Sequence, residues 1–189
     1  MSTAAVYGMK LKGMEKWMLT ASDGTPFWTG RRVLEAIKGR TEEEMAEAFS
    51  YIQGVEKYQK PSPTQIEEMR AAGWFHDKMI SLDDIPQSEP ERYNRLAVVN
   101  NAVMVRQDHN NWYGALRETH GRLEPYVQKL FPYAILVNPL DEYYHYSYLI
   151  DLDRKEFVGE RGMDHGEILF RIPLSGLDSV DTSQWRGLR

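Results

Sequence analysis

Tyr143-Tyr144-His145-Tyr146-Ser147-Tyr148-Leu149-Ile150-Asp151 is a long β-prone run whose alternation decides the fold. Strand side chains point by turns to opposite faces, so Tyr144, Tyr146, Tyr148 and Ile150 share one face while Tyr143, His145, Ser147 and Leu149 share the other. One of these faces must be core. Downstream, residues 151–154 make a turn and residues 155–160 and 168–174 read as further strands; upstream, residues 134–138 do the same. At the opposite end of the chain, residues 4–11 and 15–20 flank Lys12-Gly13, a Gly-containing connection suited to a hairpin.

Between these strands the period changes to that of helices. Val33, Leu34 and Ile37 keep helical spacing, and Thr41 with Glu44 three residues on is a capping box for a second helix whose apolar stripe is Met45, Ala48, Phe49 and Ile52. Ser62 or Thr64 caps a third helix with Ile66 and Met69 inward, and Gly73 ends it. Residues 81–91, with Pro86 and Pro90 among acidic and polar residues, read as a long mobile loop; residues 96–105 are apolar enough to be buried but too short for periodicity to choose between helix and strand, and are read as helix. Asp108 or Asn110 would cap the next helix, in which Trp112, Ala115, Leu116 and Thr119 lie on one face before Gly121 stops it. Strands at both ends with helices between them predict an α+β fold. One antiparallel sheet, built from the N-terminal hairpin and the C-terminal strands, is covered by the central helices.

The chain has 189 residues, within reach of one core at a prior of about 150 residues per domain, so residues 1–189 are expected to form a single domain. With no cysteine there is no disulfide, no thiolate metal site and no cysteine nucleophile. A formal charge of -5 gives no strong signal for nucleic acid, and apolar runs far shorter than a membrane span give none for a membrane. The expected compartment is the cytoplasm.

Chemistry-bearing residues are scattered. The five histidines form no i, i+4 pair, and Asp164-His165-Gly166-Glu167, the densest ligand-capable group, reads as a turn between strands, so no metal is expected. No motif implies a cofactor: there is no phosphate-binding Gly-rich loop and no nucleophile elbow. Ser2 would become an N-terminal nucleophile on removal of Met1, a pattern shared by many inactive proteins. If the chain is an enzyme, Asp23, His145, Asp151 and His165 are the polar groups to test first as catalytic residues. Two aromatic concentrations suit binding instead: Phe27 and Trp28 with neighbouring Arg31 after the Asp23-Gly24-Thr25-Pro26 loop, and Tyr144 and Tyr146 of the tyrosine-rich strand.

Several separated segments resemble a family of small uncharacterised bacteriophage and prophage proteins. They are Thr3-Ala4-Ala5-Val6-Tyr7-Gly8, Asp23-Gly24-Thr25-Pro26, Pro63-Thr64-Gln65-Ile66, Trp112-Tyr113-Gly114-Ala115-Leu116-Arg117, Gly121-Arg122-Leu123-Glu124 and Tyr148-Leu149-Ile150-Asp151-Leu152-Asp153. The chain departs from that pattern at Ser22, where those proteins carry an aromatic or His, and at Phe27-Trp28-Thr29 before Gly30. The resemblance implies a phage context and, for a phage-encoded protein, the host cytoplasm. With the missing catalytic motifs and the aromatic loop, it leads to the expectation of an accessory protein that binds a protein partner, blocking a host defence or redirecting a host process. Self-association into a homo-oligomer is compatible with it. A small hydrolase or transferase and a virion component are the alternatives.

Overall fold

The computed structural model describes residues 3–74, 78–81, 98–99, 102–105, 110–116, 119–162 and 166–188. Contacts gather the chain into two compact units, Met1–Gln59 with Asn111–Arg189, and Lys60–Asn110. In chain order the elements begin with β1 (Ala5–Leu11), β2 (Met14–Thr20), α1 (Arg31–Ile37), α2 (Glu42–Tyr51) and β3 (Gln53–Gly54). Then come α3 (Pro63–Ala71), β4 (Lys78–Ser81), β5 (Val98–Val99), β6 (Ala102–Val105) and β7 (Tyr133–Ala134), and finally β8 (Tyr146–Asp151), β9 (Glu156–Arg161) and β10 (Glu167–Pro173).

The first unit is an α+β fold on a five-stranded sheet in the order β10-β9-β8-β1-β2, which joins the N-terminal hairpin to the C-terminal strands. Three of its pairings are antiparallel, but β1 and β8 run parallel, Ala5 facing Tyr146 and Lys10 facing Asp151. A parallel neighbour requires a long crossover, and the helical segments between β2 and β8 supply it. The alternation of β8 resolves as core on the even side: Tyr144, Tyr146, Tyr148 and Ile150 are buried, whereas Tyr143 is 71% exposed.

Helices bury the stripes their spacing predicted, Val33, Leu34 and Ile37 from α1 and Met45, Ala48 and Phe49 from α2. The Thr41 capping box is formed in both directions, Glu44 N–H to Thr41 Oγ1 at 3.1 Å and Thr41 N–H to Glu44 Oε2 at 2.8 Å. At the far end of α2, Lys16 Nζ donates to the Phe49 and Ile52 carbonyls at 2.6 and 2.7 Å, satisfying acceptors the helix itself leaves open. Trp112, Ala115, Leu116 and Thr119 are buried together, as expected. The cap of that helix is Asn111, however, not Asp108 or Asn110: its Oδ1 accepts from Gly114 N–H at 2.9 Å. The strand expected over residues 134–138 shrinks to β7, parallel to β3, and a single bridge from Val137 to Trp17. Pro132 and Pro139 bracket the segment and offer no N–H to a longer ladder.

The β1–β2 hairpin turns through Lys12 (φ 52°) and Gly13 (φ 74°), the left-handed pair that matches strand twist. Across the sheet end, the Asp153 carboxylate accepts both their N–H groups, at 2.6 and 2.8 Å. These two bonds, Gly13 first, hold its pKa below the ordinary 3.8. The unfolded chain therefore binds the Asp153 proton more readily, so the stabilisation is full above that ordinary value and is lost as pH falls through the depressed one. Asp153→Asn is expected to flatten the acid limb of a stability-against-pH curve below about pH 4. An acid limb identical to that of the parent protein would refute the contribution.

In the second unit, α3 carries a second reciprocal capping box, Ser62 with Gln65, and Gly73 (φ 75°) lies just past its end. Residues 96–105 are not the expected helix: β5 and β6 fall within them and join β4 in an antiparallel sheet ordered β4-β6-β5. Val98, Val99, Val103 and Val105 are β-branched, and in so short an apolar run that preference decides what periodicity cannot. Of the expected loop at 81–91, Ser81 closes β4 and the rest lies outside the described residues. Among the described residues, no helix is long and apolar enough to cross a membrane.

Candidate interaction site

After β2 the backbone reverses through Asp23, whose left-handed φ of 56° suits an Asp in a turn. Pro26–Gly30 then forms one π-helical turn, with Gly30 N–H reaching back to the Thr25 carbonyl at 3.4 Å and Trp28 N–H to the same oxygen at 3.1 Å. Thr29 is buried and clamps the turn, its Oγ1 donating to the Asp23 carbonyl at 2.7 Å. Tyr148 of β8 closes the underside: its hydroxyl donates to the Gly24 carbonyl at 2.8 Å, and its ring lies so near Gly30 that an added Cβ would sit 2.8 Å from Cε1. With Pro26, Thr29 and Gly30 turned inward, Phe27 and Trp28 are left on the outer side of a braced turn.

Phe27 is half-buried between two guanidinium groups, Arg31 at 5.7 Å and Arg186 at 4.7 Å from its ring centroid. Trp28 meets Phe27 edge-on with centroids 5.6 Å apart, has Arg32 over its own ring at 5.9 Å, and stays 51% exposed. Phe27 is therefore packed among these groups, whereas Trp28 is the exposed ring of the pair. Arg31 is tied to Glu35 at 2.7 Å. Arg32 and Arg186 pair with no carboxylate among the described residues, and the aromatic faces are their contacts.

Arg32 also opens a groove of about 410 Å³ whose charged lining is Arg32, Lys38, Arg40 and Arg122 against Glu35 and Glu124. On a chain with net charge -5, this lining sets four cations against two carboxylates beside an exposed tryptophan, Arg40 also being tied to Glu44 at 3.7 Å. Sequence reasoning found Phe27, Trp28 and Arg31 but missed Arg32, Arg186 and the groove. The Arg31-Arg32 pair was the local signal for Arg32; Arg186 arrives from the other end of the chain and had none.

The remaining candidates are not brought together. Tyr144 and Tyr146 lie on the core side of β8, at 9% and 7% exposure, which leaves too little ring for a partner. Asp23 is exposed in its turn, and His145 is exposed ahead of β8 with its ring edge-on to Tyr143 at 5.2 Å. Asp151 is buried at the end of β8, where its Oδ1 caps the following turn by accepting Arg154 N–H at 2.9 Å. It lines a concavity of about 210 Å³ on the sheet that contains neither Asp23 nor His145 and in which Lys10 pairs with Glu15 and Arg171 with Glu156. His165 lies outside the described residues, as does most of the tetrad around it. Among the described residues, no three His, Asp or Glu side chains gather as a metal site.

What the fold and this surface define is an α+β protein that presents a braced tryptophan beside Arg32 and Arg186, which pair with no carboxylate among the described residues. Compared with known proteins, the chain matches no family model, no curated protein and no solved structure.

Proposed function

We propose that this protein is a phage or prophage accessory protein that acts by binding another protein, and that Trp28 is its anchor. The half-exposed Trp28 ring on a braced turn, with Arg32 on its face, is the observation that carries the reading. Tryptophan and arginine concentrate binding energy, the indole because it supplies large contact area at low entropic cost, and a turn that is already fixed has little freedom left to lose. The neighbouring cationic groove favours a partner surface that is acidic around a pocket able to take an indole ring.

The test compares tagged parent protein, Trp28→Ala and Arg32→Glu as baits in infected and uninfected cells. A stoichiometric partner held by the parent should be lost by both variants, a weakening of about 2 kcal/mol or more for Trp28→Ala. The side chain is half solvated, so the same change should move folding stability by only about 0.5 kcal/mol. A partner held equally by all three baits, or no stoichiometric partner beside hydrolytic or transfer activity of the pure protein, would overturn the proposal.

A further inference from the structure

The face of the five-stranded sheet turned away from Tyr146, Tyr148 and Ile150 carries the concavity of about 210 Å³. The ladder places its lining in rows of directly opposed residues. One row runs from Trp17 in β2 through Gly8, Leu149 and Val158 to Arg171 in β10. Gly8 has no side chain to stand between Trp17 and Leu149, and the indole is fixed by its Nε1, which donates to Glu15 Oε2 at 2.8 Å. In the neighbouring row Ser147 of β8 faces Glu160 of β9. Cβ atoms opposed in this way stand about 4.5–5.5 Å apart, so one ammonium nitrogen can meet both the hydroxyl and the carboxylate.

Ser147 is only 7% exposed, and its hydroxyl has no hydrogen bond among the described residues. It is unpartnered without being sealed off, so it opens onto the concavity that it lines. A polar atom this deep costs free energy unless something bonds it. The charges around it nearly cancel: Lys10 pairs with Glu15 at 3.1 Å, Arg171 with Glu156, and Arg154 stands 4.0 Å from Asp151. The partly buried Glu160 is left over, with no hydrogen bond or ion pair among the described residues. The one uncompensated charge of the lining is therefore negative, and it lies across the ladder from the free hydroxyl. Its complement is a monocation with N–H donors for both oxygens and an apolar stem for Leu149, Val158 and Trp17. A metal ion is poorly suited, since no three His, Asp or Glu side chains gather to ligate one among the described residues. An enclosed cavity of about 150 Å³ holds benzene, so about 210 Å³ takes an unbranched chain of five carbons with its ammonium.

We propose that this concavity binds a primary alkylammonium group, its nitrogen between Ser147 Oγ and the Glu160 carboxylate and its stem along Leu149 and Val158 toward Trp17. The site shares no residue with the Trp28 turn or its groove, so either proposal can fail alone. The test is an amide NMR titration of the full chain with n-pentylammonium chloride at constant ionic strength and neutral pH. Three analogues accompany it: 1-pentanol, which lacks the charge, methylammonium, which lacks the stem, and trimethylpentylammonium, which lacks the N–H donors. Saturable shifts centred on β8 and β9 are expected, with a Kd of about 1 mM and each analogue at least about fivefold weaker. Glu160→Gln should remove the preference over pentanol, and Ser147→Ala should reduce the preference over the trimethylated cation while keeping that over pentanol. Nα-acetyl-L-lysine methylamide separates the two sources of this chemistry: binding within about threefold of pentylammonium assigns the site to a lysine side chain of a partner, and its exclusion assigns it to a free amine. No saturation by pentylammonium up to about 20 mM, equal binding of any of the three analogues, or selectivity unchanged in both folded variants would overturn the proposal. The analogue series on the parent protein decides the matter even if a variant fails to fold.

Discussion

Tyr148→Ala is expected to destabilise the protein by about 4 kcal/mol and to lower its melting temperature on the order of 10 °C. The ring is fully buried beneath the Pro26–Gly30 turn, and its removal opens a cavity that the neighbouring strands can fill only in part. The Gly24 carbonyl, which accepts the Tyr148 hydroxyl at 2.8 Å, would also lose its partner inside the protein. Tyr148→Phe separates these effects: it keeps the ring, removes only the bond, and should cost about 1 kcal/mol. Burial raises the Tyr148 pKa far above the phenol range, so this hydroxyl remains a donor at every pH the fold survives. Denaturant unfolding of both variants is the measurement, and parent-like stability of Tyr148→Ala would show that the turn is not braced from beneath. Since Trp28 depends on that brace, partner capture by Tyr148→Ala should also fall below that of Tyr148→Phe.

Gly8→Val should be nearly as damaging, about 3 kcal/mol or more. Gly8 sits in β1, between β2 and β8, and a Cβ there would lie 2.1 Å from the Lys16 carbonyl oxygen and 3.0 Å from Trp17 Cα. Those are backbone atoms of the paired strand, so no rotamer change relieves the clash and the hairpin register must give. Gly176→Ala is the matched control, with nothing within 4 Å of the added carbon, and should stay within about 0.5 kcal/mol of the parent. Comparable unfolding midpoints for the two variants would refute the close approach. Insoluble Gly8→Val beside soluble Gly176→Ala would agree with it.

Much of the fold was legible because its signals are local. The Lys12-Gly13 turn, the Thr41–Glu44 and Ser62–Gln65 caps and the alternation through Tyr144, Tyr146, Tyr148 and Ile150 each involve residues a few positions apart, whose pairing is fixed by backbone geometry alone. The short run at residues 96–105 failed for the complementary reason: it is too brief for a period, and only pairing with β4 made it sheet.

The candidate site divides along the same line. The residues after Asp23 pointed by themselves to an aromatic pair suited to binding and to the adjoining Arg31. Only the tertiary structure decided which ring is packed and which is exposed, because Arg186 comes from a helical turn near the C-terminal end and Tyr148 from a distant strand. Likewise, alternation established that the tyrosines of β8 share a face, but not which face is buried, and that choice removed Tyr144 and Tyr146 from the surface. The direction of β8 beside β1 belongs to the tertiary structure too. A strand's own sequence carries its period but no record of its neighbour's direction, which is set by the path of the crossover between them.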